Sequence, residues 1–332
     1  MQTADLAAWA GNGALGCGQR SLRVIGFLTC ASTPRGHTYD RRMPQLIVVA
    51  LVVLALTACQ AGPGAGQEAG QVADQSGASD GVADVTLPPT SGRFDYQLGA
   101  AYEPEGGLDV VVRDATADPA AGAYNVCYVN GFQTQPGQAD LWLDGNEDLL
   151  LHDAAGELVV DPDWPDEYVL DPSTQARRDR ILGVLGNVIT GCADAGFDAV
   201  EIDNLDTWTR FTDPGTGLIE QADALALAGS YIDLAHEAGL AVGQKNAAEA
   251  TTEGRELGFD FAVTEECAAY DECGSYTGVY GERMLQIEYT DNLPDGFEAV
   301  CADPDRAPLT ILRDRDLLGP DDAAYAYDQC AR

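Results

Sequence analysis

Three carboxylates lie within seven residues at the end of an apolar run, in the stretch VEIDNLD, where they are Glu201, Asp203 and Asp206. A second apolar run ends in the pair Glu265 and Glu266. Burying an unpaired charge is costly, so carboxylates at the ends of buried runs need a reason to be there. Two carboxyl groups flanking one bond, one ionised and one protonated, are what glycoside hydrolysis requires. The ends of these two runs are therefore candidate positions for that chemistry.

The chain contains one lysine, Lys245, which stands beside Asn246 at the end of another apolar run. A sequence that avoids lysine elsewhere and keeps one at this position indicates a role for that ammonium. An ammonium near a carboxyl group keeps that carboxyl ionised. Chance survival of one lysine is the alternative.

Other catalytic chemistries have fewer candidates. His152 and His236 are the histidines of the region downstream of residue 60, and neither ends an apolar run, so nucleophilic triads lack a base. Cysteine pairs spaced C-x-x-C are absent from the sequence, which argues against a structural zinc site. Asp203, Asn204 and Asp206 offer oxygen ligands for a hard cation, but the run DGNED lacks the later residues of a calcium loop. We predict neither a metal nor a cofactor.

Short apolar runs rich in β-branched and aromatic residues predict eight strands that are buried on both faces, as in a parallel sheet. They cover residues 94–98, 108–114, 124–130, 197–203, 240–246, 259–266, 284–290 and 309–314. Helical patterns over 173–195, 218–238 and 247–257 separate several of them. This alternation predicts an α/β fold, an irregular (β/α)8 TIM barrel whose first three strands have connections too short for full helices.

In such barrels the catalytic groups lie at the carboxyl ends of the strands. Strand alternation directs Glu201 and Asp203 towards the barrel axis and Val200 and Ile202 towards the helices. Asp203 is the first choice for the ionised acid. Glu265 and Glu266 are both candidates for the second acid, because alternation is unreliable at a strand's last residue.

Polar and aromatic residues at or just beyond the strand ends are the predicted substrate contacts. They are Asp95, Tyr96, Tyr128, Asn130, Asp206, Lys245, Asn246, Glu266, Glu288, Tyr289 and Arg313. Trp208 and Tyr270 are further aromatic candidates for stacking on sugar faces.

The first ninety residues read as export and tether segments. Residues 1–42 have no interpretable pattern and are expected to be a non-native extension. Residues 43–59 have the charged start and thirteen-residue apolar run of a secretory signal, too short to span a bilayer. They end LTAC, which resembles a lipobox, so Cys59 is the predicted lipidation site; an ordinary signal with an incidental cysteine is the alternative. Residues 60–91 have the composition of a flexible linker, and 92–332 form the barrel domain.

Six cysteines in an exported domain predict three disulfides, whose pairing the spacing leaves open. They are Cys127, Cys192, Cys267, Cys273, Cys301 and Cys330. Export implies a cell-envelope lipoprotein or an extracellular protein, with membrane contact through the lipid alone.

Charge limits the partners. The net charge is −36, and removing residues 1–59, which carry five Arg and two Asp, makes it −39. This argues against nucleic acid, whose backbone needs a basic surface. It is compatible with a polycationic partner, and equally with an acidic surface selected for solubility or salt tolerance.

Seven phrases in order along 93–330 resemble a known family: FDYQLG, YVNGFQTQP, DWPDEYVLD, GFDAVEIDNLD, GLAVGQKN, FDFAVTEEC and IEYTD. Together they are similar to glycoside hydrolase family 114, the endo-α-1,4-polygalactosaminidases. The resemblance implies a TIM-like barrel that cleaves α-1,4-linked galactosamine polymers, exopolysaccharides that would be a cationic polysaccharide partner. The family's catalytic Asp matches Asp203, and its catalytic Glu best matches Glu265.

By analogy with α-galactosidase barrels, Asp203 would be the nucleophile and Glu265 the acid/base of a retaining mechanism. Glu266 remains an alternative to Glu265, and inversion an alternative to retention. Two other functions stay open: a non-catalytic carbohydrate-binding lipoprotein on the same barrel, and a hydrolase of another α-linked hexose polymer.

Overall fold

The computed structural model describes residues 85–331. The predicted extension, the signal with Cys59 and the linker up to residue 84 lie outside the described residues. The last part of the predicted linker is packed on the barrel: Val85 and Leu87 contact its interior, and Tyr124 Oη donates to the Thr86 carbonyl at 2.7 Å. The folded body therefore starts before residue 92.

Eight parallel strands pair in chain order, each within two residues of its predicted bounds. They are β1 (Phe94–Gln97), β2 (Val110–Asp114), β3 (Tyr124–Asn130), β4 (Ala199–Asp203), β5 (Ala241–Lys245), β6 (Phe261–Glu265), β7 (Met284–Tyr289) and β8 (Leu309–Arg313). This order places the carboxyl ends of all eight at one rim.

The seam between β8 and β1 is closed by a ninth strand that the sequence did not predict. This strand, β9 (Tyr327–Gln329), pairs antiparallel with β8. Its Gln329 side chain accepts a hydrogen bond from the Phe94 amide at 3.3 Å, and its Tyr327 hydroxyl donates to the Phe94 carbonyl at 2.8 Å. Side chains of β9 thus satisfy backbone groups of β1 that a barrel neighbour would otherwise pair.

Five helices of six or more residues follow the strands from β3 onward. They are α1 (Gln175–Ala195), α2 (Gln221–Glu237), α3 (Thr251–Leu257), α4 (Cys273–Tyr280) and α5 (Phe297–Ala302). The predicted helix at 247–257 is a 3-10 turn (Ala248–Ala250) followed by α3. Helices α4 and α5 were not predicted, because they are short. As expected, the connections between β1, β2 and β3 contain no helix.

Smaller elements lie in the loops at the rim. They are helices Asp140–Leu143 and Thr207–Arg210, the 3-10 turn Glu147–Leu149, and a two-stranded hairpin of Thr212–Asp213 with Gly217–Leu218. Most of the segment 131–174 between β3 and α1 is irregular, tied together by isolated bridges such as Leu150 with Leu170.

Helix α1 shows how local sequence sets the element bounds. The Thr174 hydroxyl accepts a hydrogen bond from the Arg177 amide at 3.3 Å, which caps the first turn. The helix ends at Gly196, whose φ of 96° is left-handed and suits glycine. Its apolar face, including Ile181 and Ile189, packs on the outside of the barrel.

Two hydrophobic clusters confirm the predicted strand alternation. Ala199 belongs to the cluster inside the barrel, whereas Val200 and Ile202 belong to the cluster between strands and helices. Glu201 and Asp203 therefore project towards the barrel axis, as the period of two predicts.

Three disulfides join the six cysteines of the barrel domain, in agreement with the predicted number. Cys127–Cys192 ties β3 to α1, Cys267–Cys273 closes the loop after β6, and Cys301–Cys330 ties α5 to the chain after β9. Such cross-links are characteristic of proteins that mature in an oxidising compartment. Among residues 85–331, no helix has the length and hydropathy of a membrane span.

Candidate active site

Three consecutive strands end in a charged residue that is followed by a sharp backbone turn. The charged residues are Asp203 on β4, Lys245 on β5 and Glu265 on β6. The residue after each has left-handed backbone: Asn204 (φ 62°), Asn246 (φ 47°) and Glu266 (φ 62°). Left-handed backbone is uncommon outside glycine and concentrates at functional sites. The turns lead the chain away from the rim and leave the three side chains facing the barrel mouth.

The single lysine lies at the centre of this group, with its side chain only 1% exposed. Lys245 Nζ is 3.2 Å from Asp203 Oδ1 and 3.0 Å from each of Glu201 Oε1, Glu265 Oε2 and the Tyr96 hydroxyl. Burial lowers the lysine's pKa, but the three carboxylates outweigh this effect and hold the pKa well above 10.5. The ammonium is thus charged at any physiological pH.

Asp203 is held in its ionised form. Burial raises the pKa of its carboxyl, yet Lys245, the Tyr128 hydroxyl and the Asn204 amide together bring the pKa below its ordinary value. Tyr128 Oη donates to Oδ2 at 2.6 Å, and the Asn204 amide donates to Oδ1 at 2.8 Å. Both oxygens therefore have fixed partners, which orients the carboxylate.

Glu265 faces Asp203 across the ammonium. Its Oε2 contacts Lys245, its Oε1 accepts a hydrogen bond from the Tyr289 hydroxyl, and its backbone amide donates to Asn246 Oδ1 at 2.9 Å. Oxygens of Asp203 and Glu265 that lie 3.2 and 3.0 Å from one nitrogen are within roughly 6 Å of each other. The two acids are thus close enough to act on one linkage.

A third acid, Glu201, lies one layer deeper and was not among the predicted site residues. Its side chain is 0% exposed, its Oε1 accepts from the Tyr96 hydroxyl at 2.8 Å, and Oε1 also contacts Lys245. Burial raises the pKa of Glu201 to about 7, with Asp203 adding to the rise while Lys245 and Tyr96 oppose it. Strand alternation already pointed this residue inward, which was the available signal.

A cleft of about 510 Å³ opens above these acids at the rim. Eight predicted site residues line it: Tyr96, Tyr128, Asp203, Asp206, Lys245, Asn246, Glu265 and Tyr289. Lining residues that the sequence did not predict include Trp164, Glu167, Arg210, Arg315 and Asp316. Trp164 is 53% exposed, so its ring is available to a ligand.

A second recess of about 350 Å³ adjoins the cleft and shares Asp206, Asn246, Glu265 and Arg315 with it. It adds three more carboxylates and an aromatic ring that is 62% exposed: Glu249, Glu266, Glu272 and Tyr270. The recess and the cleft form one acidic surface that extends away from Asp203 and Glu265.

The comparisons with known proteins agree with this architecture. The model of glycoside-hydrolase family GH114 matches residues 75–332. The chain belongs to this family. It is therefore a glycoside hydrolase with the TIM-like barrel that the sequence predicted. The sequence matches no curated protein.

Solved structures resemble the GH114 barrel at low sequence identity. The crystal structure of Ega3 from Aspergillus fumigatus in complex with galactosamine has 19% identity and a TM-score of 0.59, covering 74% of this chain and 98% of that one. The glycoside hydrolase domain of PelA from Pseudomonas aeruginosa has 16% identity and a TM-score of 0.47, covering 68% and 95%. The likeness to Ega3 supports the fold.

Two residues predicted to contact substrate instead hold the seam of the GH114 barrel. Arg313 Nη1 donates to Asp95 Oδ1 at 2.7 Å, and both side chains are buried. Arg313 also donates to the Tyr96 carbonyl. This buried pair joins β8 to β1, and neither residue lines the cleft.

Two further predicted contacts lie behind the cleft. Asn130 Nδ2 donates to Glu167 at 2.8 Å, and its Oδ1 accepts from Asn204 at 3.0 Å, so it supports two lining residues. Glu288 lies beneath the loop after β6 and accepts from the Ala268 amide at 2.9 Å. Glu266 lines the second recess rather than the cleft.

Glu167, on the irregular segment after β3, is a carboxyl that sequence reasoning missed. It is 6% exposed, and burial raises its pKa to about 7, opposed by the Asn130 hydrogen bond and reinforced by Asp203 and Asp161. The phrase DWPDEYVLD, with an aromatic among acids in a long loop, was the one sequence signal for it.

Arg315 brings a positive charge to the border between cleft and recess. It donates two hydrogen bonds to Glu266, at 2.9 and 2.7 Å, and its guanidinium lies 4.2 Å from the Tyr289 ring centroid. Burial raises the pKa of Glu266, but Arg315 and Asn292 outweigh it and the pKa is lowered. Glu266 is therefore an ionised partner of Arg315.

Clusters of potential metal ligands are few among the described residues. Within residues 85–331, one cluster brings three ligand atoms together: Cys267, Cys273 and Glu288. Because both sulfurs belong to one disulfide, they cannot bind a metal as thiolates. The sequence offered Asp203 as an oxygen ligand, but both of its carboxylate oxygens accept hydrogen bonds from protein groups. Oδ1 accepts from Lys245 and the Asn204 amide, and Oδ2 accepts from Tyr128.

Proposed function

We propose that this protein is an endo-acting glycoside hydrolase that cleaves α-1,4-linked galactosamine polymers, with Asp203 as nucleophile and Glu265 as acid/base. The observation that carries the proposal is the shared contact of both acids with Lys245 at the floor of the cleft. Two carboxyl groups held on either side of one site are the requirement for this reaction.

The environments of the acids fit different roles. Asp203, ionised and oriented by Tyr128 and Lys245, attacks the anomeric carbon and displaces the leaving-group oxygen. Glu265 donates its proton to that oxygen as the bond breaks. It then accepts a proton from the water that attacks the glycosyl–Asp203 ester, which restores both residues.

The separation of the acids favours retention of configuration. Retaining enzymes hold their carboxyl groups about 5 to 5.5 Å apart, whereas inverting enzymes leave about 6.5 to 9.5 Å for a water. The contacting oxygens of Asp203 and Glu265 lie within roughly 6 Å, because they share Lys245. This spacing leaves little room for a water between the carboxylate and the sugar.

Glu265 is a better acid/base than Glu266. A bidentate contact with Arg315 keeps Glu266 ionised, and its side chain opens onto the second recess. An acid that must give up and regain a proton cannot be locked in such a pair. Glu265 also contacts a cation, but it shares the Lys245 ammonium with Asp203 and Glu201, and its Oε1 has a phenol, Tyr289, as partner.

An acidic surface supports a cationic substrate. Asp206 lines both the cleft and the recess, and Glu249 and Glu272 line the recess, so a polymer of amino sugars would be attracted along this surface. The crystal structure of Ega3 contains galactosamine, which supports the same sugar for this chain. Trp164 and Tyr270 offer exposed rings for sugar faces.

We also propose that the protein is exported and anchored through a lipid on Cys59, as the LTAC sequence predicts. The three disulfides support export. Expression of the full chain in a bacterial host should give a membrane-bound form that Cys59→Ala releases. If the parent and Cys59→Ala were both membrane-bound, or both soluble, the lipid anchor on Cys59 would be contradicted.

The function is tested by measuring reducing ends released from partially deacetylated galactosamine polymer. The parent should release them, and Asp203→Asn and Glu265→Gln should each lower kcat by more than about 1,000-fold. Glu298→Gln, an exposed carboxyl on α5, is the matched control and should keep parental activity.

Other outcomes separate the alternatives. Polymer binding without cleavage by the parent would indicate a carbohydrate-binding protein. Cleavage of a different α-linked hexose polymer would keep the site and change the substrate. Full activity in both acid variants would show that the catalytic residues are elsewhere.

A further inference from the structure

Glu201 is a buried acid that the proposed reaction does not use. It precedes Asp203 by two residues on β4, so both side chains project into the barrel, with Glu201 deeper. Its Oε1 has two partners, Tyr96 and Lys245, whereas its Oε2 has no hydrogen-bond partner within residues 85–331. Buried polar atoms without partners are rare in native proteins and require an explanation.

Packing alone does not explain a carboxyl at this position. Apart from Lys245 and its polar partners, the barrel interior is lined by apolar residues such as Val112, Val263 and Ile287. An apolar residue of similar volume would fill the space without desolvating a carboxyl. Compared with an apolar residue, Glu201 provides a titratable charge and one oxygen, Oε1, that contacts Lys245.

That charge belongs to a coupled group. One ammonium, on Lys245, has three protons to donate and four acceptors within 3.2 Å: Glu201, Asp203, Glu265 and Tyr96. Three ionised carboxylates against one ammonium would leave two excess negative charges in a buried site. The proton affinity of each acid therefore depends on the charges of the other two.

The groups that face Glu201 come from four strands. They are Tyr96 on β1, Asp203 on its own strand, Lys245 on β5 and, through Lys245, Glu265 on β6. Tyr128 on β3 and Tyr289 on β7 bond to Asp203 and Glu265 and complete the set. The remaining strands, β2 and β8, present Val112 and Ile311 to the barrel interior.

We propose that Glu201 is a positioning residue: its contact with Lys245 limits how far this one ammonium can compensate Asp203 and Glu265, so that one proton is retained among the three acids. This inference rests on the proposed roles of Asp203 and Glu265. The more of the ammonium's charge an ionised Glu201 compensates, the less is left to stabilise a carboxylate on Glu265. The raised pKa of Glu201, about 7, places this change near neutrality.

The test is the pH dependence of kcat/KM for Glu201→Gln, which keeps the shape and a carbonyl acceptor for Tyr96. Removing one negative charge lets Lys245 hold both remaining carboxylates ionised to lower pH. The alkaline limb of the bell-shaped profile should therefore move to lower pH, by about one to two units for charges roughly 6 Å apart. The acidic limb should stay, because Glu201, with a pKa of about 7, is already protonated there and the substitution removes no charge. Activity at the new optimum should stay within about tenfold of the parent.

Glu288→Gln is the matched control. It removes another carboxyl that is 0% exposed, but one that contacts Gln286 and the Ala268 amide and has no contact with Lys245. Both limbs should stay where they are in this variant. Thermal unfolding of each variant establishes that it is folded.

Carbon-13 NMR titration of the carboxyl groups gives a readout that needs no activity. In Glu201→Gln, no carboxyl group in contact with Lys245 should keep its proton to about pH 7, whereas one does in the parent. If the parent lacks hydrolase activity but these titrations move, the proposed function fails and this inference stands. A folded Glu201→Gln protein with unmoved titrations, or with no activity at any pH while the parent is active, would overturn it. Glu201→Met replaces the residue in both measurements if the Gln variant does not fold.

Discussion

Asp203 and Glu265 lie on strands two apart in the barrel, yet each places an oxygen beside the same nitrogen, at 3.2 and 3.0 Å. The nitrogen belongs to Lys245, on the strand between them. An ammonium in this position shields the two acids from each other and fixes their separation. The lysine is thus a structural condition for the proposed two-acid mechanism.

Replacing Lys245 by Met should destabilise the protein in a pH-dependent way. Removal of one partner from a buried ionic group costs about 3 to 5 kcal/mol, because the remaining charges are uncompensated. Protonation relieves that repulsion, so the folded variant binds protons that the unfolded chain releases, and its stability falls as pH rises. Lys245 itself does not titrate here, since its pKa is well above 10.5.

Urea unfolding of the parent and of Lys245→Met at pH 5 and pH 8 measures the free energy of unfolding. The loss of stability in the variant should be larger at pH 8. Arg306→Met is the control, because Arg306 donates to backbone carbonyls of Cys301, Ala307 and Ala331 rather than to carboxylates. Its loss should be similar at the two pH values. If Lys245→Met lost the same amount of stability at pH 5 and at pH 8, the ammonium would not compensate the charges of the acids.

The Tyr128 hydroxyl should matter to turnover. Tyr128→Phe removes the 2.6 Å hydrogen bond to Asp203 Oδ2, a charge-assisted bond of about 1.5 to 3 kcal/mol. Because the bond orients the proposed nucleophile, kcat should fall by about 10- to 100-fold while KM changes little. Tyr231→Phe, which removes a 2.8 Å bond from a buried tyrosine to the Gly131 carbonyl, should lower stability and leave kcat intact. Similar kcat losses in both variants would indicate a packing effect.

The barrel and the positions of Asp203 and Glu265 at its mouth were predictable from sequence, because both follow from the burial pattern of the strands. Parallel strands covered on both faces are continuous apolar runs, and their order along the chain is their order in the ring. The single lysine was visible as a composition anomaly. Alternation on β4 then gave the direction of Asp203 without any tertiary information.

The same alternation, applied to other strands, would have corrected two substrate predictions. Tyr96 and Tyr289 belong to the cluster inside the barrel, so their chain neighbours Asp95 and Glu288 face away from the axis. Arg313 could not be excluded this way, because its role depends on the seam that β9 closes. Glu167 lies on a loop without periodicity, whose path is set by tertiary contacts.

Two disulfides of different loop length should differ in their contribution to stability. Cys127–Cys192 spans 65 residues and Cys267–Cys273 spans 6. Loop-closure entropy predicts losses of roughly 4 and 2 kcal/mol for the corresponding double alanine variants. Urea unfolding without reductant measures the loss of stability in each double variant. A larger loss for the short loop would mean that native contacts, rather than entropy of the unfolded chain, dominate.

Glu167 should make stability depend on pH between its ordinary and its shifted titration. Burial raises its pKa from 4.5 to about 7, so the folded state keeps a proton that the unfolded state has lost. The parent therefore loses stability as pH rises from about 4.5 to about 7 and no further above that. Gln at this position does not titrate and keeps the Asn130 contact, so Glu167→Gln should escape this loss.

Melting temperatures of parent and Glu167→Gln across pH 4 to 9 test this argument. The difference in stability, variant minus parent, should rise by about 3 kcal/mol between pH 4.5 and 7 and then change little. Glu282→Gln, an exposed carboxyl ahead of β7, should give a flat difference over the same range. If the difference for Glu167→Gln is flat, or falls as pH rises, the Glu167 carboxyl is ionised in the folded protein. The cleft then has one more negative charge with which to attract a cationic sugar.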